Sequence, residues 1–187
     1  MARKKKEVVA PEVIARRETY DWIQCMIIAL MVCVFLFIFG IRVINVSGSS
    51  MNPTLQNGEK MLVSNLFYSP EVGDVVVFKK DEYDPNKALV KRIIATEGQE
   101  INIDFATGTI YIDGEPFEED YISELTVNKI DFIGPKTVPD GCVFVMGDNR
   151  NASTDSRDNR IGMVDARLIL GKAYYVIYPV TEFGIIR

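Results

Sequence analysis

Between Trp22 and Ile41 the chain carries no charged side chain, reading IQCMIIALMVCVFLFIFGI after the tryptophan. At 1.5 Å rise per residue such a segment reaches about 30 Å as a helix, the thickness of one hydrocarbon core. An apolar run with no polar face departs from the one-sided pattern of a helix in a globular core. A cleaved secretory leader has an apolar region of about 7–15 residues after a short basic start. Here the run is longer and follows 21 mostly polar residues. The pattern predicts a transmembrane helix over 22–41 behind a basic N-terminal segment over 1–21. Arg3, Lys4, Lys5, Lys6, Arg16 and Arg17 precede the helix, and only Arg42 lies near its other end. The positive-inside rule then leaves the N-terminus in the cytoplasm and sends the domain over 42–187 to the outer side of the cell membrane, in a single pass.

Composition narrows the chemistry that this outer domain can perform. The 187 residues include no histidine, which removes Ser-His-Asp and Cys-His triads and any His-ligated zinc or haem site. Three cysteines, Cys25, Cys33 and Cys142, are scattered without a metal-binding or disulfide spacing. Residues 1–44 hold seven Lys/Arg against four Asp/Glu, and residues 45–187 hold fourteen against twenty-two. An acidic outer domain lacks the clustered cations that phosphate backbones require, so nucleic acid is not an expected partner. No cofactor and no metal is expected.

After Arg42 the chain alternates short Val/Ile/Phe/Tyr runs with Gly, Pro, Asn and Asp, the pattern of strands and turns. Strands are predicted over Lys60–Ser64, Val75–Phe78, Ala88–Thr96, Gln99–Ile103, Thr109–Ile112, Val143–Met146 and Leu170–Tyr178. Thr107-Gly108 and Asp113-Gly114 have the composition of hairpin turns. The acidic stretch 115–140 is less patterned and is expected to form an insertion or long loop. The predicted class is mainly β: one N-terminal membrane helix and one antiparallel β domain.

Three constellations could carry chemistry. Lys91 lies in the apolar run Ala88-Leu89-Val90-Lys91-Arg92-Ile93-Ile94-Ala95, where period two sets it beside Leu89, Ile93 and Ala95 with Arg92 opposite. Burial there would disfavour the ammonium form and let the amine act as a base; periodicity alone equally fits a lysine that blunts a sheet edge. Ser50 stands before Met51-Asn52-Pro53-Thr54, where proline biases the chain towards a turn that projects the hydroxyl and frees nearby N–H groups. Gly147-Asp148-Asn149-Arg150-Asn151-Ala152-Ser153-Thr154-Asp155-Ser156-Arg157 gathers carboxylates, hydroxyls and guanidiniums that could brace a buried lysine. Its interleaved arginines place positive charge where a calcium ion would sit.

Taken in order, Ser50-Met51-Asn52-Pro53-Thr54-Leu55, Gly73-Asp74-Val75-Val76-Val77-Phe78, Lys91-Arg92, the block from Gly147 to Arg157, and Gly171-Lys172-Ala173 resemble the bacterial type I signal peptidases. These are membrane-anchored Ser/Lys proteases that remove signal peptides from exported preproteins. The resemblance implies an antiparallel β catalytic domain of the type shared with repressor autoproteases, Ser50 as nucleophile and Lys91 as general base. It further implies that Ser153 hydrogen-bonds the lysine and that Arg92, Asp155 and Arg157 support the site. Gly48 stands where some members place a serine hydroxyl, so the oxyanion hole falls to backbone N–H groups, Ser50's own first. Asn151 and Ala152 replace an Asp and an Asn common in the family. Shallow pockets for small residues, giving Ala-x-Ala specificity, would be lined by Ile44, Val46, Met51, Leu55, Val77, Leu89 and Val90. The implied partners are secretory preproteins and the lipid bilayer.

Overall fold

The computed structural model describes residues 11–186, so the basic cluster Arg3, Lys4, Lys5 and Lys6 lies outside the described residues. Helix α1 runs Pro11–Phe39. Every described side chain from Arg16 to Phe35 is exposed, Trp22 and Met26 by more than two thirds. This stretch is long and apolar enough to cross a membrane. The helix forms one unit with its flanking residues, and residues 41–187 form the second.

The regular structure of the second unit is antiparallel β with three short 3-10 turns, joined by long loops. Its larger sheet comprises β1 (Arg42–Asn45), β2 (Lys60–Ser64), β3 (Val75–Lys79), β4 (Ala88–Thr96), β9 (Cys142–Met146), β10 (Val164–Asp165), β11 (Ile169–Tyr178) and β12 (Gly184–Ile185). The strand order is β1-β2-β11-β3-β4-β9-β10, with β12 also paired to β11. The smaller sheet comprises β5 (Glu100–Asp104), β6 (Thr109–Ile112), β7 (Glu115–Phe117) and β8 (Lys136–Thr137), in the order β7-β6-β5-β8. This is the class expected from the sequence, mainly antiparallel β with one N-terminal apolar helix. Each predicted strand is present within one residue at either end. Asp113 and Gly114 both take positive φ, 53° and 85°, as a two-residue type I′ hairpin requires.

β3 shows why the apolar runs fold as they do. Val75 and Val77 pack with Val46, Met51, Leu55 and Met61 in one core cluster, while Val76 and Phe78 pack with Leu89, Ile93 and Val145 in another. A central strand covered on both faces needs an unbroken apolar run rather than alternation. A third cluster joins Ile94, Phe144 and Met146 to Ile101, Ile103 and Ile110 of the smaller sheet. Residues 115–140 supply β7 and β8, and they put Phe132 between Phe105 and Phe144 in edge-on contact.

Two of the open backbone edges lie on β4 and β1. β3 pairs with β4 from Ala88 to Arg92, but β9 meets β4 only from Arg92 onward. The other side of Ala88–Lys91 therefore has no strand partner among the described residues. β1, at the end of the sheet, pairs only with β2 among the described residues.

Candidate active site

Ser50 sits in a tight turn closed by a hydrogen bond from the Asn52 N–H to the Ser49 carbonyl, 3.1 Å. A second, from the Leu55 N–H to the Met51 carbonyl, anchors the turn above buried Met51 and Leu55. Gly48 precedes it at φ +97°, a backbone conformation that side chains other than glycine's resist, and its N–H donates to Asn57 Oδ1. That conformation gives a physical reason for glycine where a serine could otherwise stand.

Lys91 reaches this turn from β4, with its Nζ 2.6 Å from Ser50 Oγ. The side chain is buried and pairs with no carboxylate among the described residues. Burial drives its pKa down from 10.5 to about 8. Asp155 and Asp148 pull the other way from a distance, while Lys87 and Arg157 push with the burial. A substantial fraction of neutral amine is thus available in mildly alkaline solution, within reach of a hydroxyl proton.

The block from Gly147 to Arg157 folds back on β9 and Ser50. Asp155 clamps Arg157 through Oδ1 to Nε, 2.9 Å, and Oδ2 to NH2, 2.8 Å, and Oδ2 also accepts the Gly147 N–H. Asp148 clamps Arg92 in the same two-pronged way at 2.9 and 2.6 Å and accepts the Thr54 hydroxyl at 2.5 Å. Gly147 has no room for a side chain, because a Cβ there would run into Ser153 Oγ and the Ser50 carbonyl. Ser153 lies at this point of closest approach, buried, and its hydroxyl has no hydrogen-bond partner among the described residues. The lysine contact that the resemblance implied for Ser153 is not made here; Lys91 is bonded to Ser50 instead. An unmet buried hydroxyl costs roughly 1–3 kcal/mol, a cost that positions at functional sites tolerate.

Several residues of this network carried no signal in the sequence. Glu119 forms a buried, two-pronged ion pair with Arg150, and the Tyr121 hydroxyl donates to Glu119. The Tyr121 ring lies 3.9 Å from the Arg92 guanidinium carbon. Both residues come from the acidic stretch, which the chain places over the arginines. Asn151 uses both ends of its amide: Oδ1 accepts the Val127 and Asn128 N–H groups, and Nδ2 donates to Glu124 and to the Leu125 carbonyl. An aspartate there could not donate.

Ser50 and Lys91 open into a cleft of about 620 Å³. Ile44, Val46, Met51, Leu89 and Val90 line it, together with Tyr83, Lys87, Ala152 and Thr154, which sequence reasoning did not select. Leu55 and Val77 are wholly buried in the cluster that includes Val46 and Met51, so they pack behind the cleft wall rather than on it. Among the described residues no group of His, Cys, Asp and Glu could hold a metal ion.

Comparison with known proteins places the chain in a family. The family model described as signal peptidase, peptidase S26, matches residues 19–178. A probable signal peptidase I-1 of Synechocystis is 35% identical over 171 residues, covering 87% of this chain and 84% of its own. A signal peptidase I of Bacillus licheniformis is 34% identical over 177 residues, 89% and 92% of the two chains. Signal peptidase IB of Staphylococcus aureus is 31% identical over 189 residues, 90% and 94%. Among solved structures, a signal peptidase I of Enterococcus faecalis aligns at 27% identity over 56% of this chain and 97% of its own, with a TM-score of 0.45. By the family match and by the extent of these curated relatives, the chain belongs to the signal peptidase family, peptidase S26.

Proposed function

We propose that this protein is a single-pass membrane endopeptidase that removes signal peptides from exported preproteins after small residues of the Ala-x-Ala type, with Ser50 as nucleophile and Lys91 as general base. The observation that carries this reading is the 2.6 Å contact between Ser50 Oγ and the buried Lys91 amine, whose pKa is lowered to about 8. Neutral Lys91 takes the Ser50 proton as Oγ bonds to the substrate carbonyl carbon. The carbonyl oxygen gains the negative charge and faces the Ser50 N–H, which makes no hydrogen bond to the described residues. The intermediate collapses as the C–N bond breaks, and the Lys91 ammonium protonates the leaving amine. Water, deprotonated by Lys91, then hydrolyses the acyl ester and restores the Ser50 hydroxyl.

The two open edges suit an extended substrate. Ile44–Val46 and Ala88–Val90 both border the cleft, so a peptide strand lying between them would add to the backbone ladder and present alternate side chains to the same wall. Ile44, Val46, Met51, Leu89 and Val90 give that wall apolar contact surface among its polar groups, which supports a preference for small apolar residues at two alternate positions. The apolar helix and the basic residues before it support anchoring in the cell membrane with the β domain outside. Detergent-solubilised protein mixed with a secretory precursor should release the mature chain, with a new N-terminus after Ala-x-Ala. Undiminished cleavage by Ser50→Ala or Lys91→Ala would overturn the assignment.

A further inference from the structure

Two hydrogen bonds fix the peptide groups on either side of Ser50, and one residue makes both. Asn149 Nδ2 donates to the Ser49 carbonyl, 3.1 Å, and the Asn149 backbone N–H donates to the Ser50 carbonyl, also 3.1 Å. In a planar trans peptide unit the C=O and N–H point in opposite directions. Holding the Ser49 carbonyl towards Asn149 therefore turns the Ser50 N–H, which shares that unit, away from Asn149. The Ser49 carbonyl also closes the turn with the Asn52 N–H, so the unit is gripped from two sides.

The rest of the turn gives this grip its purpose. Ser49, Ser50 and Met51 border the cleft, and Ser50 N–H makes no hydrogen bond to the described residues. A Gly48 side chain is absent, so no hydroxyl from that position could help hold a developing oxyanion. The whole electrostatic task then rests on the orientation of backbone N–H groups. Asn149 itself is held by its neighbours: Asp148 is locked to Arg92 and Thr54, and Gly147 lies in contact distance of the Ser50 carbonyl.

We infer that Asn149 is a positioning residue for the oxyanion hole: its side-chain amide holds the Ser49–Ser50 peptide so that the Ser50 N–H faces the oxygen of the tetrahedral intermediate. This rests on Ser50 being the nucleophile. Asn149 is not among the residues lining the cleft and makes no hydrogen bond to Lys91, so its action is confined to the transition state, where charge has moved onto the carbonyl oxygen.

The test uses the full chain in detergent, with Asn149→Ala and the isosteric Asn149→Asp, whose carboxylate cannot donate to the Ser49 carbonyl. Direct loss of an oxyanion donor costs about 10²–10³ in kcat. Misorientation of a donor that remains present should cost less, roughly 10–100-fold in kcat, with KM little changed. In Asn149→Ala, which adds no charge, the inflection of the rate near pH 8 should stay where it is, because Lys91 is untouched. A peptide boronate, which forms a tetrahedral adduct on Ser50 Oγ, should weaken by the same factor as kcat/KM, while an uncleavable substrate peptide binds as before. Wild-type kcat in both variants, a rise confined to KM, or a displaced pH inflection in Asn149→Ala would overturn the inference. Should one variant unfold, the other decides. Ser50→Ala run alongside separates the two levels: cleavage by that variant sinks the nucleophile assignment itself, whereas Ser50-dependent cleavage with unaffected Asn149 variants sinks only the positioning role.

Discussion

Lys91 and Arg92 are consecutive in β4 and nearly equal in burial, at 2% and 1% exposure, yet the structure treats their charges in opposite ways. The Arg92 guanidinium meets the Asp148 carboxylate along two parallel contacts, a backbone carbonyl at Gly73 and the face of Tyr121. Arg150 and Arg157, equally buried, are matched to Glu119 and Asp155 in the same manner. Lys91 meets one hydroxyl. A guanidinium cannot shed its proton within a protein, so a buried arginine must be paired. A lysine can, and burial without a counter-ion pushes it to do so. Adjacent positions on opposite faces of one strand thus separate a paired charge from an unpaired one: the arginine side holds Gly147, Asp148 and Asn149 against the serine turn, and the lysine side offers the amine proposed as the base.

Exchanging the two strategies at position 91 should have the largest effect. Lys91→Arg keeps a cation but removes the base, and precursor cleavage should fall by about 10³-fold or more. On the arginine side the matching change is Asp148→Ala, which leaves Arg92 buried and uncompensated. Denaturant unfolding of the detergent-solubilised protein should show a loss of roughly 3–5 kcal/mol, partly recovered when Arg92→Met is added. Lys91→Met should do the opposite and stabilise the fold, because the native state holds the lysine about 2.5 pH units below its ordinary value. Below pH 8 the gain should approach about 3 kcal/mol. It should shrink as pH rises from 8 to 10.5, where the unfolded chain still binds a proton that the native state has released, and vanish above that range. Equal stability of Lys91→Met and wild type at pH 7 would mean that the lysine is not buried as a charge. Smallest is Tyr121→Phe, which keeps the ring on Arg92 and removes the hydroxyl bond to Glu119, for a loss of about 1 kcal/mol.

The same contrast explains what could be seen in the sequence. Strands of four to ten residues with apolar runs stood out, and Lys91 stood out because a cation interrupts one of them; β1 was missed, because its four residues Arg42–Asn45 hold only two apolar side chains directly after the apolar helix. β7, β8, β10 and β12 are two or three residues long and exist through pairing with distant partners, so no periodicity marks them. Among the polar residues from Asp148 to Arg157, two carboxylates and two guanidiniums offered several pairings. That Asp148 takes Arg92 and Asp155 takes Arg157 is decided by how the block folds back on β9. Glu119 and Tyr121 come from the acidic stretch, whose composition resembles a solvated loop; only its closure over the arginines gives them a role. Leu55 and Val77 illustrate the converse, since an apolar residue near the Ser50 turn serves equally well as pocket wall or as core until depth is known.

The central claim is that an unpaired, buried Lys91 is the base for Ser50, and the pH dependence of kcat/KM on a peptide spanning an Ala-x-Ala site tests it most directly, since that ratio reports ionisation in the free enzyme. The account predicts a tenfold rise per pH unit in the acid limb that levels off near pH 8. A rate flat from pH 6 to 9, or one still climbing to the ordinary lysine value of 10.5, would contradict it.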